Sequence, residues 1–473
     1  MALRPLHRSL SVLGLLAAGL ASTAALSPAA HAADAKLKLE QQGYIETDVR
    51  FVLPGKALER EDGTLRFNEN RVGYQVDAEV NPKVAARAAG RLVFVGFSSI
   101  PDAADLTKRA SIDPFWWELD AAYLELRDLF GLEGLDLRAG RQIIHWGTAD
   151  QFNPTNNINP LDLRDPLLFG QNLANNAVKL DYAPGKDVVL TAVWVPVFRP
   201  TQLPFSALRA FSDPTLAASR FGADSIFSSF GSTAGLKYNI NNQTPDFNLA
   251  NSQFAAKLAF KLLGSDFSLS YYRGLWTVPR PEVVTPYLTG TAQHVDIQLG
   301  FPTMQVLGFD FTTSISALKG LGLWVEGALV FHDELRTRLD LGPGVPSINS
   351  IEAPAGQFLK VTAGMDFTFN KQLYANVQYL HGFVDEFGSR QIADYVVAGV
   401  DIKSPSERYV LRLFGVLNLQ DQSHVYFPSL IMKPWNNTEF TVGALLYGGQ
   451  PGSKFGGLES GSNLFFMKGR ISF

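Results

Sequence analysis

The stretch QFLKVTAGMDFTFNKQLYANVQYLHGF, residues 357–383, alternates apolar and polar side chains in two segments around a short polar break. In its first half the apolar set is Leu359, Val361, Ala363, Met365, Phe367 and Phe369. Successive side chains of a β-strand point to opposite faces of the sheet, so this period of two predicts strands with one apolar and one polar face. Each half is long enough to cross a bilayer as a tilted strand, which takes roughly 9–11 residues.

The same pattern recurs along the chain and predicts eighteen strands. They lie near residues 43–52, 70–81, 84–97, 116–127, 134–145, 174–184, 187–197, 252–263, 266–276, 303–315, 321–332, 357–370, 372–383, 392–402, 408–419, 424–433, 437–447 and 463–473. Residues 290–299 also alternate, but counting them would give an odd number, so we place them in a loop. An even number of membrane-crossing strands leaves both chain ends on the same side of a membrane, which for an exported barrel is the periplasmic side. Sixteen strands is the alternative number.

The predicted connections alternate between short and long. Short ones are 81–83, 184–186, 264–265 and 434–436, and long ones are 53–69, 146–173, 198–251, 277–302 and 333–356. Short turns at one end and long loops at the other are typical of an all-β, antiparallel, up-and-down transmembrane β-barrel of the bacterial outer membrane. A soluble β-sandwich or β-helix is the alternative, and it predicts shorter strands with connections of similar length at both ends.

The two ends of the chain fit export. Residues 1–32 have a basic start at Arg4 and Arg8, an apolar stretch and an A-x-A site at residues 30–32, which together predict a cleaved signal peptide. An N-terminal membrane anchor is the alternative. We then expect a short periplasmic segment at 33–42 and the barrel over 43–473. At the other end Phe465, Ile471 and the terminal Phe473 share one strand face, which resembles the signal read by the outer-membrane barrel assembly machinery.

Composition excludes several classes of protein. The chain has no Cys, hence no disulfide framework, thiolate metal site or Cys nucleophile. Its net charge of −4, which becomes −6 once Arg4 and Arg8 are removed, disfavours a nucleic-acid binder. No phosphate-binding or metal-binding spacing is found, so we expect no cofactor and no metal.

Alternation also predicts which charged residues face the barrel interior. They are Glu46, Asp48, Arg50, Asp77, Glu79, Arg87, Arg91, Arg138, Lys179, Lys257, Lys360, Asp366 and Arg412; Glu326 and Asn418 follow the same pattern. A cation facing lipid at the bilayer midplane would cost roughly 2–4 kcal/mol, so these side chains must line water or pair across the lumen. Both signs of charge are present, which favours a path for polar solutes. For any single charge, a structural ion pair is the alternative to a solute contact.

Two of the long predicted loops contain features that suggest a role inside the barrel. Residues 198–251 carry five Phe, at 205, 211, 221, 227 and 230, and we expect them to form a constriction or a lid, with a self-packed surface loop as the alternative. The other loop, 146–173, carries most of a recurrent motif. Five Trp, at 116, 117, 146, 276 and 324, lie near predicted strand ends, where indoles favour the headgroup zone.

The motif consists of Gly140, Arg141, Gln142, Trp146, Gly147, Asp150, Asn159, Pro160 and Asp162. It resembles a strand and loop of porin-like outer-membrane barrels of Gram-negative bacteria, including alginate-export-like proteins and an uncharacterised porin-like group. Residues 308–311 look similar to a later strand of the same group. From the residues themselves, Gly140 permits close approach, and Arg141 is expected to pair with Asp150 or Asp162 and hold the loop inward.

The predicted function is an outer-membrane channel for polar solutes, in contact with lipid. The main alternative is a conduit for polysaccharide secretion that works with periplasmic and inner-membrane partners. The resemblance to alginate-export-like barrels implies a basic lumen that passes an acidic polymer. The lumen predicted here carries charges of both signs instead. A catalytic barrel is the weaker alternative. Its candidate bases are His145, His294, His332, His381 and His424, with Asp333 and Asp385 near two of them. We expect no enzyme, and the sequence does not predict an oligomeric state.

Overall fold

The computed structural model describes residues 37–53, 65–98, 103–168, 170–203, 237–289, 292–450, 452–456 and 463–473. Eighteen strands form one antiparallel sheet. In ring order they are β1 (Lys38–Val52), β2 (Leu65–Asn81), β3 (Val84–Val95), β4 (Phe115–Leu126), β5 (Leu135–Gln142), β8 (Asn175–Tyr182), β9 (Val188–Val195), β11 (Gln253–Leu262), β12 (Ser265–Leu275), β15 (Thr303–Ile315), β16 (Leu321–His332), β19 (Gly356–Thr368), β20 (Leu373–His381), β21 (Asp394–Lys403), β22 (Tyr409–Asn418), β23 (His424–Met432), β24 (Thr438–Gly448) and β25 (Leu464–Ser472).

The sheet closes on itself because the last strand pairs with the first. Tyr44 lies opposite Ser472, and the register continues to Val52 opposite Leu464. All eighteen predicted barrel strands are found, so the alternative of sixteen strands is wrong. β1 begins at Lys38, inside the segment predicted to precede the barrel, because β2 extends far enough to pair Lys38 with Glu79. The predicted signal peptide lies outside the described residues.

The outer face of the barrel is apolar. Ile45, Leu124 and Leu269 are 54%, 60% and 52% exposed, and similar side chains recur on other strands. A continuous apolar surface of this extent is unfavourable in water and suits contact with lipid. In the described part of the chain, none of the helices has both the length and the apolar character needed to cross a membrane.

The inner face is polar on one side of the ring and apolar on the other. Glu46, Asp48 and Arg50 alternate with outward residues along β1 and are almost fully buried. On β9, β11, β12, β15 and β16 the inward residues are mostly apolar and form one cluster with side chains from loops. Of the five Trp expected near headgroups, Trp117 is exposed, but Trp146, Trp276 and Trp324 are buried. Trp146 and Trp276 lie on loops that turn inward, and Trp324 faces the interior from β16 beside Gly364 of β19.

Connections at the end of the barrel that holds the chain termini are short. Examples are residues 82–83, 263–264, 369–372 and 433–437; at the opposite end the loops 143–174, 196–252, 276–302 and 333–355 are long. We call these the turn end and the loop end. Among the described residues, helical structure is limited to one short α-helix, Arg109–Ile112, and 3-10 turns at Ala103–Thr107, Leu129–Gly131, Pro166–Leu168 and Ser316–Leu318.

Three of the long loops together form a second, five-stranded sheet. Its order is β10 (Lys237–Asn242), β14 (Ala292–Gly300), β13 (Arg280–Thr289), β17 (Leu335–Leu339) and β18 (Ile348–Ala353). Residues 290–299, which we expected in a loop, therefore include most of a strand, but that strand lies outside the barrel sheet. The alternation was genuine because Val295, Ile297 and Leu299 are buried on one face of this second sheet. A further pair, β6 (Leu161–Asp162) and β7 (Gln171–Asn172), lies within loop 143–174.

Candidate functional site

Residues 143–174, which join β5 to β8 and which we call the crossing loop, run through the barrel interior. The crossing loop is bound to β16 on one wall and to β1 on another. Around the ring, seven strands separate β16 from β1 on one side and nine on the other. The two attachment points are therefore on nearly opposite walls, and the loop lies across the lumen.

The first attachment is the carboxylate of Glu326 on β16, which has no exposed surface. It accepts hydrogen bonds from the backbone N–H groups of Thr148 (2.8 Å), Ala149 (2.9 Å) and Thr155 (2.9 Å), and from the Thr155 hydroxyl (2.7 Å). A buried charge is tolerated only when it is fully hydrogen-bonded, and four donors meet that need. Gly147 has φ +92°, and a Cβ there would lie 2.5 Å from the Glu326 oxygens, so only glycine fits.

The second attachment is Arg50 on β1, which binds two carboxylates at once. Its guanidinium donates to Asp165 of the crossing loop at 2.6 and 2.7 Å and to Asp48 at 2.7 and 3.0 Å. Its guanidinium carbon also lies 4.0 Å from the centre of the Phe67 ring. Burial raises the pKa of Asp165, but the bonds to Arg50 outweigh that effect and leave this pKa below its ordinary value.

Charged residues of β25, β1 and β2 continue this network along the wall. Glu46 lies 2.9 Å from Arg71, 3.0 Å from Lys468 and 3.7 Å from Arg470. Arg71 also pairs with Glu69 at 2.7 Å. This part of the wall is thus a lattice of alternating charges that holds the strands in register and faces the interior.

The crossing loop is stabilised further by residues of the predicted motif. Asn159 forms two hydrogen bonds with the backbone of Ile144, at 3.0 and 2.6 Å, and Gln142 donates to the carbonyl of Ala177 at 3.0 Å. Trp146 is buried, and the Pro160 carbonyl accepts from Leu173 at 2.7 Å. These contacts hold the crossing loop inside the barrel, and the anchoring role of the motif as a whole stays a prediction.

The predicted partner of Arg141 is wrong. Its guanidinium donates to the carbonyl of Leu119 at 2.6 Å instead of binding Asp150 or Asp162, and Asp162 pairs with Arg164 at 2.8 Å. The Arg141 side chain lies within electrostatic range of Asp120 and Arg199 near the loop end of the wall, and a wall carbonyl, not a carboxylate of the crossing loop, accepts its hydrogen bond. Gly140 has φ +130°, and a Cβ there would collide with the Ala122 carbonyl, so the two strands approach too closely there for a side chain.

The predicted lumen residues all lie on the inward face, and most are paired with neighbours along the wall. The pairs are Asp77 with Arg87, Glu79 with Arg127 (3.9 Å), Arg91 with Glu118 (2.9 Å), Arg138 with Glu125 (2.7 Å), Lys179 with Asp181 (2.5 Å) and Arg412 with Asp401 (2.7 Å). Lys257 lies 4.7 Å from the Trp146 ring, and Asp366 faces Asn376 across the β19–β20 pair. Structural ion pairing, the alternative raised for each charge, is thus the common arrangement.

Toward the turn end these pairs are open to solvent. Arg87 and Arg412 have 42% and 47% of their side-chain surface exposed although they point into the barrel. Toward the loop end, the crossing loop and two apolar clusters occupy much of the interior. The interior therefore has a charged vestibule below the crossing loop and a mostly apolar region above it.

The candidate catalytic groups are scattered. His381 bonds Asp394 at 2.7 Å, His294 stacks on Tyr287 in the second sheet, and His332 contacts the backbone of Asp333. Among the described residues, no three His, Asp or Glu side chains are grouped as metal ligands. The five Phe of residues 198–251 lie outside the described residues.

Sequence reasoning predicted the inward position of Glu326 but not its role, and it missed Asp165. A signal was present for Glu326, because its neighbours on the same strand face, Trp324, Ala328 and Val330, are apolar. A lone acid on such a face needs donors from another segment. Nothing local distinguishes Asp165 from other acids of the loop.

A closed barrel with an apolar outside, a charged inside and a loop fixed across its lumen defines a transmembrane β-barrel of the outer-membrane type. Residues 102–386 match the family model described as "Protein of unknown function (DUF1302)". Because the match covers more than half of the chain, the chain belongs to the DUF1302 family. No curated protein matches the chain.

Solved porins have a similar course over most of the chain. Acinetobacter baumannii OccAB1 is 10% identical, with 92% of this chain and 96% of that chain covered and a TM-score of 0.49. Pseudomonas aeruginosa OccD3 (OpdP) is 8% identical, with 92% and 91% covered and a TM-score of 0.48. Similarities this distant say nothing about a solute. The resemblance to alginate-export-like barrels stays a prediction.

Proposed function

We propose that this chain is an outer-membrane channel for small polar solutes, narrowed by the crossing loop. The observation that carries the proposal is the pair of attachments on opposite walls. Glu326 and Arg50 hold the loop across a lumen whose wall on the turn side carries charges of both signs. Eighteen strands enclose a space too wide for wall side chains alone to fill, so the crossing loop sets the bore.

The charge pattern favours weak selectivity. Pairs such as Arg412 with Asp401 and Arg138 with Glu125 present adjacent positive and negative groups to the vestibule. A solute or ion of either sign meets compensating charges there, whereas strong selection needs a ring of one sign. We therefore propose neutral or zwitterionic polar solutes and expect a low ratio of cation to anion permeability.

Export of a polysaccharide, with inner-membrane and periplasmic partners, is less well supported. A polymer needs a continuous wide passage, and the crossing loop is fixed by bonds at 2.6–2.9 Å to both walls. The loop-end cluster around Trp276 and Phe387 narrows the interior further. Such a conduit would require the loop to leave the lumen during transport.

The route to the membrane is part of the same proposal. Residues 1–32 would direct export, and the last strand would be read by the barrel assembly machinery. Phe473 ends the chain beside Gly43, with its backbone bonded to Gly43 at 2.8 and 2.9 Å, so this strand also completes the ring.

The experiment that tests the function is conductance in planar lipid bilayers. Purified mature protein should form small, stable, weakly selective channels. A variant in which residues 146–173 are replaced by a short Gly-Ser linker should conduct several-fold more. Leu263→Ser, at a fully exposed turn, is the control and should behave as wild type. If neither wild type nor the linker variant conducts, the channel proposal is wrong; if only the linker variant conducts, the crossing loop is a plug and gated transport is favoured.

A further inference from the structure

A cavity of about 150 Å³ lies above the crossing loop, toward the loop end. It is bounded by residues 151–161 of the crossing loop, by the inner wall of β15, β16 and β19, and by the loops after β12 and β20. A cavity of about 150 Å³ accommodates one benzene ring in a protein interior. The volume therefore suits a single-ring molecule.

Aromatic side chains form much of the cavity lining. The rings of Trp276 and Phe387 stack with centres 4.5 Å apart, and Phe358 meets Phe387 edge-on at 5.1 Å. On the facing side Phe152 lies 5.3 Å from Phe383. These five side chains are at most 7% exposed and pack against one another, so the ring surfaces are held in place before any ligand arrives. Preformed aromatic walls favour a planar, apolar ring.

One cationic group lines the cavity. Lys360, on β19, is partly exposed although it lies inside the barrel, and its ammonium donates to the backbone carbonyl of Phe383 at 2.8 Å. Gly382 has φ +92°, and a Cβ there would lie 2.8 Å from the Lys360 side chain. The loop thus leaves room for this lysine to reach the cavity.

The nearby carboxylates are already neutralised by another cation. Asp385 and Glu386 lie 2.8 and 3.3 Å from the ammonium of Lys454. Glu386 also accepts from the backbone N–H of Phe383 at 2.8 Å. Among the described residues, Lys360 has no carboxylate within 4 Å, so its charge faces the cavity with only a neutral carbonyl bound.

The crossing loop adds a polar contact. The Asn153 amide lines the cavity, and its Oδ1 is buried without a hydrogen-bond partner. A buried polar atom is usually satisfied by water or by a ligand. Because this oxygen only accepts hydrogen bonds, it suits a donor such as water and not an anion. The aromatic walls supply an apolar side, and the Lys360 ammonium supplies an anion-binding end.

We infer that this cavity binds a small aromatic carboxylate, with the ring against the Phe and Trp side chains and the carboxylate on Lys360. The ammonium would exchange its neutral partner for a charge-assisted bond, which is shorter and stronger. The inference goes beyond the proposed channel, because binding can occur whether or not the barrel conducts. If it does conduct, the site lies on the loop-end side of the bore.

Isothermal titration of the full mature chain in detergent tests the inference with benzoate, benzyl alcohol and acetate as probes. Benzoate should bind at least tenfold more tightly than benzyl alcohol, which lacks the charge, and than acetate, which lacks the ring. Lys360→Met should remove the preference for benzoate, and Lys360→Arg should retain most of it. Lys433→Met, at a turn of the opposite end, is the matched control and should bind as wild type.

Heat-modifiable migration on gels first confirms that each variant is a closed barrel. Absence of benzoate binding to a closed wild-type barrel would overturn the inference. So would unchanged benzoate affinity in Lys360→Met, or equal affinity for benzyl alcohol. The channel proposal is judged separately, since conductance needs no benzoate and benzoate binding needs no conductance.

Discussion

The attachment of the crossing loop at Glu326 leads to the most direct prediction. Glu326→Ala removes the acceptor of four hydrogen bonds, three from backbone N–H groups and one from the Thr155 hydroxyl. A buried donor left without a partner costs about 1–3 kcal/mol. With four donors unpaired, the docked position of the crossing loop would cost several kcal/mol. We therefore expect the loop to leave the wall, so that these donors form hydrogen bonds with water.

A loss of only about 3 kcal/mol would change the ratio of docked to undocked loops more than a hundredfold, at about 1.4 kcal/mol for each factor of ten. In planar bilayers Glu326→Ala should therefore show larger conductance steps and frequent fluctuations, and the crossing loop should become sensitive to protease. Glu326→Gln keeps the shape of the side chain but replaces one acceptor oxygen with an NH₂ group, which faces the N–H and O–H donors of the crossing loop. We therefore expect a smaller increase in conductance and in protease sensitivity than for Glu326→Ala.

Asp310→Asn provides a matched control. Asp310 is also buried, lies directly opposite Glu326 on β15, and accepts from Ser268 of the wall instead of from the crossing loop. Its substitution should leave conductance and protease resistance unchanged. Wild-type conductance and an uncut loop in Glu326→Ala would refute the reasoning that this carboxylate fixes the loop.

Three further predictions follow from the same contacts. Gly147→Ala should mimic Glu326→Ala in bilayer recordings, because Gly147 has φ +92° and an added Cβ would collide with the Glu326 carboxylate. Gly185→Ala is the control and should behave as wild type, because nothing lies within 4 Å of an added Cβ there. Equal behaviour of the two variants would contradict the steric argument. Asp165→Asn should raise the conductance noise relative to wild type at neutral pH. The pKa of Asp165 is lowered in the folded protein, so the stabilising effect of its carboxylate is present above the ordinary Asp pKa of about 3.9 and is lost as pH falls through the lower folded value. The difference in conductance noise between Asp165→Asn and wild type should therefore persist at pH 5. If this difference disappears at pH 5, the result counts against the contact with Arg50. Phe473→Ala should lower the amount of heat-modifiable barrel in outer membranes several-fold while Phe369→Ala, an exposed turn residue, does not, as quantitative immunoblots can show.

The barrel was predictable because lipid outside and polar groups inside impose the same two-residue period on every strand. Residues 357–383 show this period clearly, and the same reasoning located each of the eighteen strands to within a few residues. Residues 290–299 alternate because they belong to the second sheet. Parity correctly excluded this segment from the barrel, but it did not show that three loops pair with each other. Pairing between loops depends on distances across the mouth that no local pattern records.

The interior was only partly predictable for a related reason. Alternation placed Arg50 and Glu326 on the inward face, yet their partners come from a segment far away in the chain. Arg141 shows the reverse case, in which a charged residue next to the loop donates to a carbonyl of the neighbouring strand instead of to a carboxylate of the loop. The inward position of a side chain follows from the two-residue period of its strand. Its hydrogen-bond partners depend on how a distant loop folds in three dimensions.

The crossing loop has a consequence for the order of biogenesis. Its bonds to β1 and β16 join residues 115 and 178 positions apart, one earlier in the chain and one later. Contacts over such separations form late, because the intervening chain must be ordered first. We therefore expect the loop to reach its final place only after the strands on both sides of it have curved toward each other. On this reasoning, closure of the wall precedes narrowing of the bore.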